Sequence, residues 1–104
     1  MFDYDLAKDV IDEMVGVFSP KMIIVFGSVA RDEAEDRSDL DLLVVMDTDL
    51  RGPKRSAAIH KQFMRCPLPM DIPVLTPEEF ESNKDNKYSF ASEIVKAGVV
   101  AYEA

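Results

Sequence analysis

Residues 22–28, Met-Ile-Ile-Val-Phe-Gly-Ser, and residues 38–45, Ser-Asp-Leu-Asp-Leu-Leu-Val-Val, decide the fold of this chain. Met22 to Phe26 is an unbroken apolar run of strand length, the pattern of a strand buried on both faces. Gly27-Ser28 breaks it, and Ser28 stands where it could cap a short helix over residues 28–35. Asp36-Arg37-Ser38 then turns the chain into a second strand over residues 39–46, alternating at first and wholly apolar afterwards.

Working outward, Leu6, Val10, Met14, Val17 and Phe18 recur at helical spacing, which predicts a helix over residues 5–18. Asp3 or Asp5 would cap it, and Ser19-Pro20 stops it. On the other side, a helix is expected over residues 53–65, from Pro53 to the prolines at 67 and 69. A third strand follows over residues 71–75, where Pro73 marks a sheet edge or a bulge. Thr76-Pro77-Glu78-Glu79 opens a helix to about residue 82 with a cap residue, a first-turn proline and acids. A last helix over residues 89–97 closes at Gly98, and a short strand over residues 99–102 ends the pattern. Helices alternate with strands, so one layered α/β domain over residues 1–104 is expected.

Composition narrows the function classes. With 47% hydrophobic and 31% charged residues, the 104-residue chain reads as a soluble globular domain. No apolar stretch approaches the roughly 20 residues that cross a bilayer, and the N-terminus lacks signal-peptide character. Cys66 is the single cysteine, which excludes an internal disulfide, fits a cytoplasmic setting and reads as a small buried apolar residue. The net charge of −8 argues against direct nucleic-acid binding, because such proteins present a basic face. An acidic chain still binds a nucleotide where metal ions cancel the charge at the site.

The chemistry converges on the quoted stretches. Side chains alternate along a strand with a rise of about 3.3 Å, so Asp39 and Asp41 share a face with bases about 7 Å apart. Their carboxylates can lean over a pair of metal ions about 3.5–4 Å apart. Carboxylate oxygens are the hard ligands that Mg²⁺ prefers. Acid-x-acid spacing also occurs at Asp3/Asp5, Glu33/Glu35, Asp47/Asp49 and Glu79/Glu81, so the spacing alone means little. Asp39 and Asp41 differ by entering an apolar strand, where an unpaired acid is costly and needs a ligand or a salt bridge. Gly27-Ser28, taken alone, is an ordinary strand-to-helix turn. Beside the aspartates it becomes a place where backbone amides and a hydroxyl meet phosphate, and the pair suggests an enzyme acting on a nucleoside triphosphate. Arg31 either contacts phosphate or pairs with Glu35, its i+4 neighbour.

Gly27-Ser28, Arg31 and Ser38-Asp39-Leu40-Asp41-Leu42 together resemble the signature of the DNA polymerase β-like nucleotidyltransferase superfamily. The chain length is similar to that of the minimal nucleotidyltransferases, small prokaryotic proteins often encoded beside a partner of the HEPN class. The resemblance covers nearly the whole chain and implies a mixed sheet of about four strands flanked by helices. It implies that Asp71, in Met70-Asp71-Ile72, is a third carboxylate. Asp39, Asp41 and Asp71 would then be the catalytic and metal-binding residues for two Mg²⁺ ions, and Gly27, Ser28 and Arg31 would bind the triphosphate. The implied activity transfers a nucleoside monophosphate, AMP from ATP, to an acceptor hydroxyl on a partner protein, within a HEPN-type toxin–antitoxin pair. A non-catalytic antitoxin or a nucleotide-binding module is the alternative.

Two features depart from the resemblance. Asp32 stands where many relatives have glycine, and the chain has no room for an extra acceptor-choosing domain, which points to a partner or a second subunit of a homo-oligomer. Arg51, Lys54, Arg55, Lys61 and Arg65 read as a solvated helix face ahead of a docking surface for an acidic partner or nucleic acid, His60 as a surface or packing residue ahead of a catalytic one, and Tyr88, Phe90 and Tyr102 as packing aromatics ahead of base-stacking ones.

Overall fold

A computed structural model describes residues 1–104. Helix α1 (Tyr4–Phe18) starts at Asp3, whose carboxylate accepts the Leu6 N–H at 2.9 Å, and buries Ala7, Val10 and Met14. Ser19 closes it in the left-handed region. Then come β1 (Met22–Phe26), α2 (Gly27–Ala30), β2 (Leu40–Val45) and α3 (Pro53–Gln62). They are followed by β3 (Met70–Asp71), β4 (Val74–Leu75), α4 (Pro77–Asn83), α5 (Phe90–Ala97) and β5 (Val99–Glu103).

The sheet is mixed. β1 pairs antiparallel with both β2 and β5, while β3 and β4 run parallel to β2 on its outer flank. The single strand expected over residues 71–75 is thus two short ones, giving five strands rather than four. Pro73 lies in the gap, where it has no N–H to give, and its carbonyl accepts the Val44 N–H at 3.0 Å.

Strand alternation sends the chain's apolar residues to two cores. Leu40, Leu42, Val44 and Ile23 pack with α1, Ile59, Phe63 and Ile72 on one face. Leu43, Val45 and Ile24 pack with Phe80, Ala91 and Ile94 of α4 and α5 on the other. Asp41 shares parity with Leu43 and Val45, so it projects on the α4/α5 face.

Helix α4 begins with a full capping box: the Thr76 hydroxyl accepts the Glu79 N–H at 3.2 Å, and the Glu79 carboxylate accepts the Thr76 N–H at 2.8 Å. Gly98 caps α5, but its backbone is extended rather than left-handed. A Cβ there would stand 2.6 Å from the Ile94 carbonyl and 2.7 Å from Ile24 Cγ2, so close approach of α5 to β1 requires the glycine.

Several local expectations change. The helix foreseen over residues 28–35 is only α2, because Asp32 turns left-handed at φ 57°. Helix α2 starts at the left-handed Gly27, so Phe26 occupies the capping position and Ser28 caps nothing. Helix α3 stops at Gln62, and Cys66 is half-buried rather than buried. Tyr88 is 85% exposed and Phe90 54% exposed, which removes Tyr88 from the packing aromatics. No helix is long and apolar enough to cross a membrane.

Candidate active site

Gly27 sits at φ 71°, a conformation that side-chain-bearing residues rarely adopt. A Cβ at this position would collide with Asp41 Oδ2 and stand 3.0 Å from Asp41 Cγ. The Asp41 carboxylate therefore lies over the bare Gly27 α-carbon, and the two quoted stretches meet there. Asp41 is opposite Phe26 in the β1–β2 register and beside Asp71 in the β2–β3 register. All three side chains share the α4/α5 face. Asp39 lies one residue before β2, exposed, rather than within the strand.

The electrostatics show that the three carboxylates share one field. The Asp41 carboxyl titrates above the ordinary aspartate value, first because burial disfavours its charge, then because Asp71 and Asp39 are both negative neighbours. Arg31 is the cation that opposes these effects. Its Nε donates to Glu33 Oε2 at 3.1 Å, so its partner is Glu33 and not Glu35.

As the side chains stand, no group of three or more His, Cys, Asp or Glu is positioned to hold a metal ion. The donor chemistry nevertheless fits a divalent cation: hard carboxylate oxygens, mutual repulsion and partial burial are what such an ion relieves. An open polar cleft of about 680 Å³ lies elsewhere, at the far end of β2 among Thr48, Arg51, Arg55, Thr76 and Glu79; none of the three aspartates lines it.

A family model described as polymerase beta, nucleotidyltransferase matches residues 8–104. The chain belongs to this nucleotidyltransferase family. Three solved structures share the nucleotidyltransferase fold. A candidate nucleotidyltransferase from Sulfolobus solfataricus is 24% identical, with a TM-score of 0.64 over 95% of this chain and 78% of that one. A toxin–antitoxin structure with AMP-PNP is 19% identical, with a TM-score of 0.64 over 93% of this chain and 73% of that one. A mutant of the toxin–antitoxin pair MntA–HpeT, bearing two Asp-to-Glu substitutions, is 17% identical with a TM-score of 0.60 over the same shares, 93% and 73%. Comparison with curated proteins finds no match.

The sequence pattern named Asp39, Asp41 and Gly27, and the family resemblance added Asp71. It missed Phe26, whose alignment with Asp41 depends on strand register, and it assigned Arg55 to a solvated face although Arg55 is largely buried. A phenylalanine just before the Gly-Ser turn was the one available signal for the first.

Proposed function

We propose that this nucleotidyltransferase transfers AMP from ATP to a hydroxyl on a partner protein, in a Mg²⁺-dependent reaction at Asp39, Asp41 and Asp71. The observation that carries the reading is the crowding of Asp41 against Gly27 and between two further carboxylates. Mg²⁺ bound by these three residues would neutralise charge on the attacking and departing oxygens. Gly27 and Ser28 offer first-turn amides and a hydroxyl to the β- and γ-phosphates. Arg31 leaves Glu33 to meet phosphate. Asp71, on the flank away from Gly27, takes the proton of the incoming hydroxyl. The hydroxyl oxygen bonds to the α-phosphorus, the bond to the bridging oxygen breaks, and pyrophosphate departs. Holding both reactants in line supplies much of the remaining acceleration.

The partner is proposed to be a HEPN-type protein, with this chain as the antitoxin of the pair; two of the structural relatives are toxin–antitoxin proteins, which supports this. Incubation with α-labelled ATP, Mg²⁺ and the neighbouring gene product should label the partner. An Asp39→Asn, Asp41→Asn double variant should lose the labelling by on the order of 10³-fold or more. Labelling that survives this change would remove the proposed site.

A further inference from the structure

The Phe26–Phe90 pair borders the carboxylates, and phosphate and metal chemistry leave it without a role. Phe26 faces Asp41 directly across β1–β2, so its ring belongs to the carboxylate face. Phe90, the first residue of α5, meets Phe26 edge to face, with centroids 5.8 Å apart and planes at 89°. Such a contact covers at most one face of the Phe90 ring, and 54% of the residue is exposed. Ala91 and Ile94 on the same helix are buried, so the helix does not need Phe90 for its own docking.

The order across the sheet gives this exposure a direction. Asp71 lies on β3, Asp41 on the adjacent β2, and Phe26 on β1 immediately before the Gly27-Ser28 turn. The acceptor side and the triphosphate side of Asp41 are therefore opposite flanks, and Phe90 stands on the triphosphate flank. We infer that Phe90 is the platform on which the nucleobase of the bound triphosphate stacks, with Phe26 supporting the ring edge-on. The inference rests on the nucleotidyl-transfer reading and adds a base subsite to it. Base–aromatic stacking is strong enough to change nucleotide affinity by on the order of 10- to 100-fold.

Phe90→Leu keeps an apolar cover over Phe26 but removes the π-face. Phe90→Trp keeps the π-face and introduces the only tryptophan, since the chain has none. Calorimetry of the full chain with Mg²⁺ should show Phe90→Leu weakening ATP binding 10- to 100-fold while inorganic tripolyphosphate binds as before. The Phe90→Trp variant should bind ATP like the wild type, with emission quenched by ATP and not by tripolyphosphate. Unchanged ATP affinity in Phe90→Leu would overturn the inference and make the ring a protein-contact residue. Equal loss of ATP and tripolyphosphate would also overturn it, as the mark of a structural role. If the wild type binds neither ligand, the nucleotidyl-transfer reading falls with it.

Discussion

The two ends of β2 handle charge in opposite ways. At the Asp41 end, three carboxylates share one field and the nearby Arg31 is tied to Glu33. The flanking backbone is left-handed at Gly27 and Asp32. At the Val45 end the one largely buried cation, Arg55, is fully partnered. Arg55, only 15% exposed, donates to Glu79 at 2.6 and 3.4 Å and to the Leu50 carbonyl at 2.7 Å. Glu79 in turn closes the capping box of α4, and its carboxyl is held below the ordinary glutamate value, chiefly by Arg55 and the Thr76 N–H. Paired charge ties α3 to the start of α4 at the far end. Unpaired like charge and strained turns at the near end are what a cation and a triphosphate would complete.

The largest test of this contrast is Gly27→Ala. The substituent meets the Asp41 carboxylate and forces a non-glycine residue to φ 71°. A cost of about 2 kcal/mol or more is expected, a fall in melting temperature on the order of 10 °C. Nucleotide transfer should vanish even where circular dichroism shows the chain folded. An alanine variant with full transfer would mean that Asp41 does not work from its place against Gly27.

At the paired end, Arg55→Ala leaves Glu79 and the Leu50 carbonyl without their donor. Destabilisation of about 1–3 kcal/mol is expected in denaturant titration, against less than about 0.5 kcal/mol for Lys61→Ala on the exposed side of the same helix. Transfer by the folded fraction should be unchanged, since Arg55 lies at the far end of β2. Equal effects of the two changes would return Arg55 to the solvated face on which the basic cluster was first placed.

That misplacement shows where the sequence is legible. The Thr76–Glu79 cap is local, so four residues suffice to read it, and the cap of α1 narrows to Asp3 or Asp5, of which the structure uses Asp3. The β1 and β2 runs are legible because burial on both faces leaves no polar interruption. Asp41 stood out because an acid inside such a run demands a reason. The Arg55–Glu79 contact spans 24 residues, and nothing near Arg55 separates it from its basic neighbours. Helix α2 was overextended because Ser28 resembles a cap, whereas the left-handed Gly27 had already started the turn one residue earlier. Phe90 was read as a packing residue by type, and its exposure depends on how α5 sits on the sheet.

The smallest effects sharpen the comparison most, because their signs are opposite. Without metal, Asp41→Asn should raise stability at neutral pH, since it removes a charge that burial and two negative neighbours disfavour. Asp41 has a raised folded-state value, so its stabilising contribution is complete below the unfolded value and is lost as pH rises through the folded one. The advantage of the asparagine variant should therefore shrink on acidification. Glu79→Gln should lower stability at neutral pH, because a favoured charge is lost. Its depressed folded-state value places that contribution above the unfolded pKa, to be lost as pH falls through the folded one. The Glu79 side chain is 43% exposed, so solvent screening keeps the effect small. Thermal melts of both variants and the wild type between acid and neutral pH, with chelator and low salt, check both signs together. Two changes of the same sign would mean that the ends of β2 do not differ in charge design. Added Mg²⁺ should then stabilise the wild type more than Asp41→Asn, because only the wild type retains the full carboxylate set for the ion to neutralise.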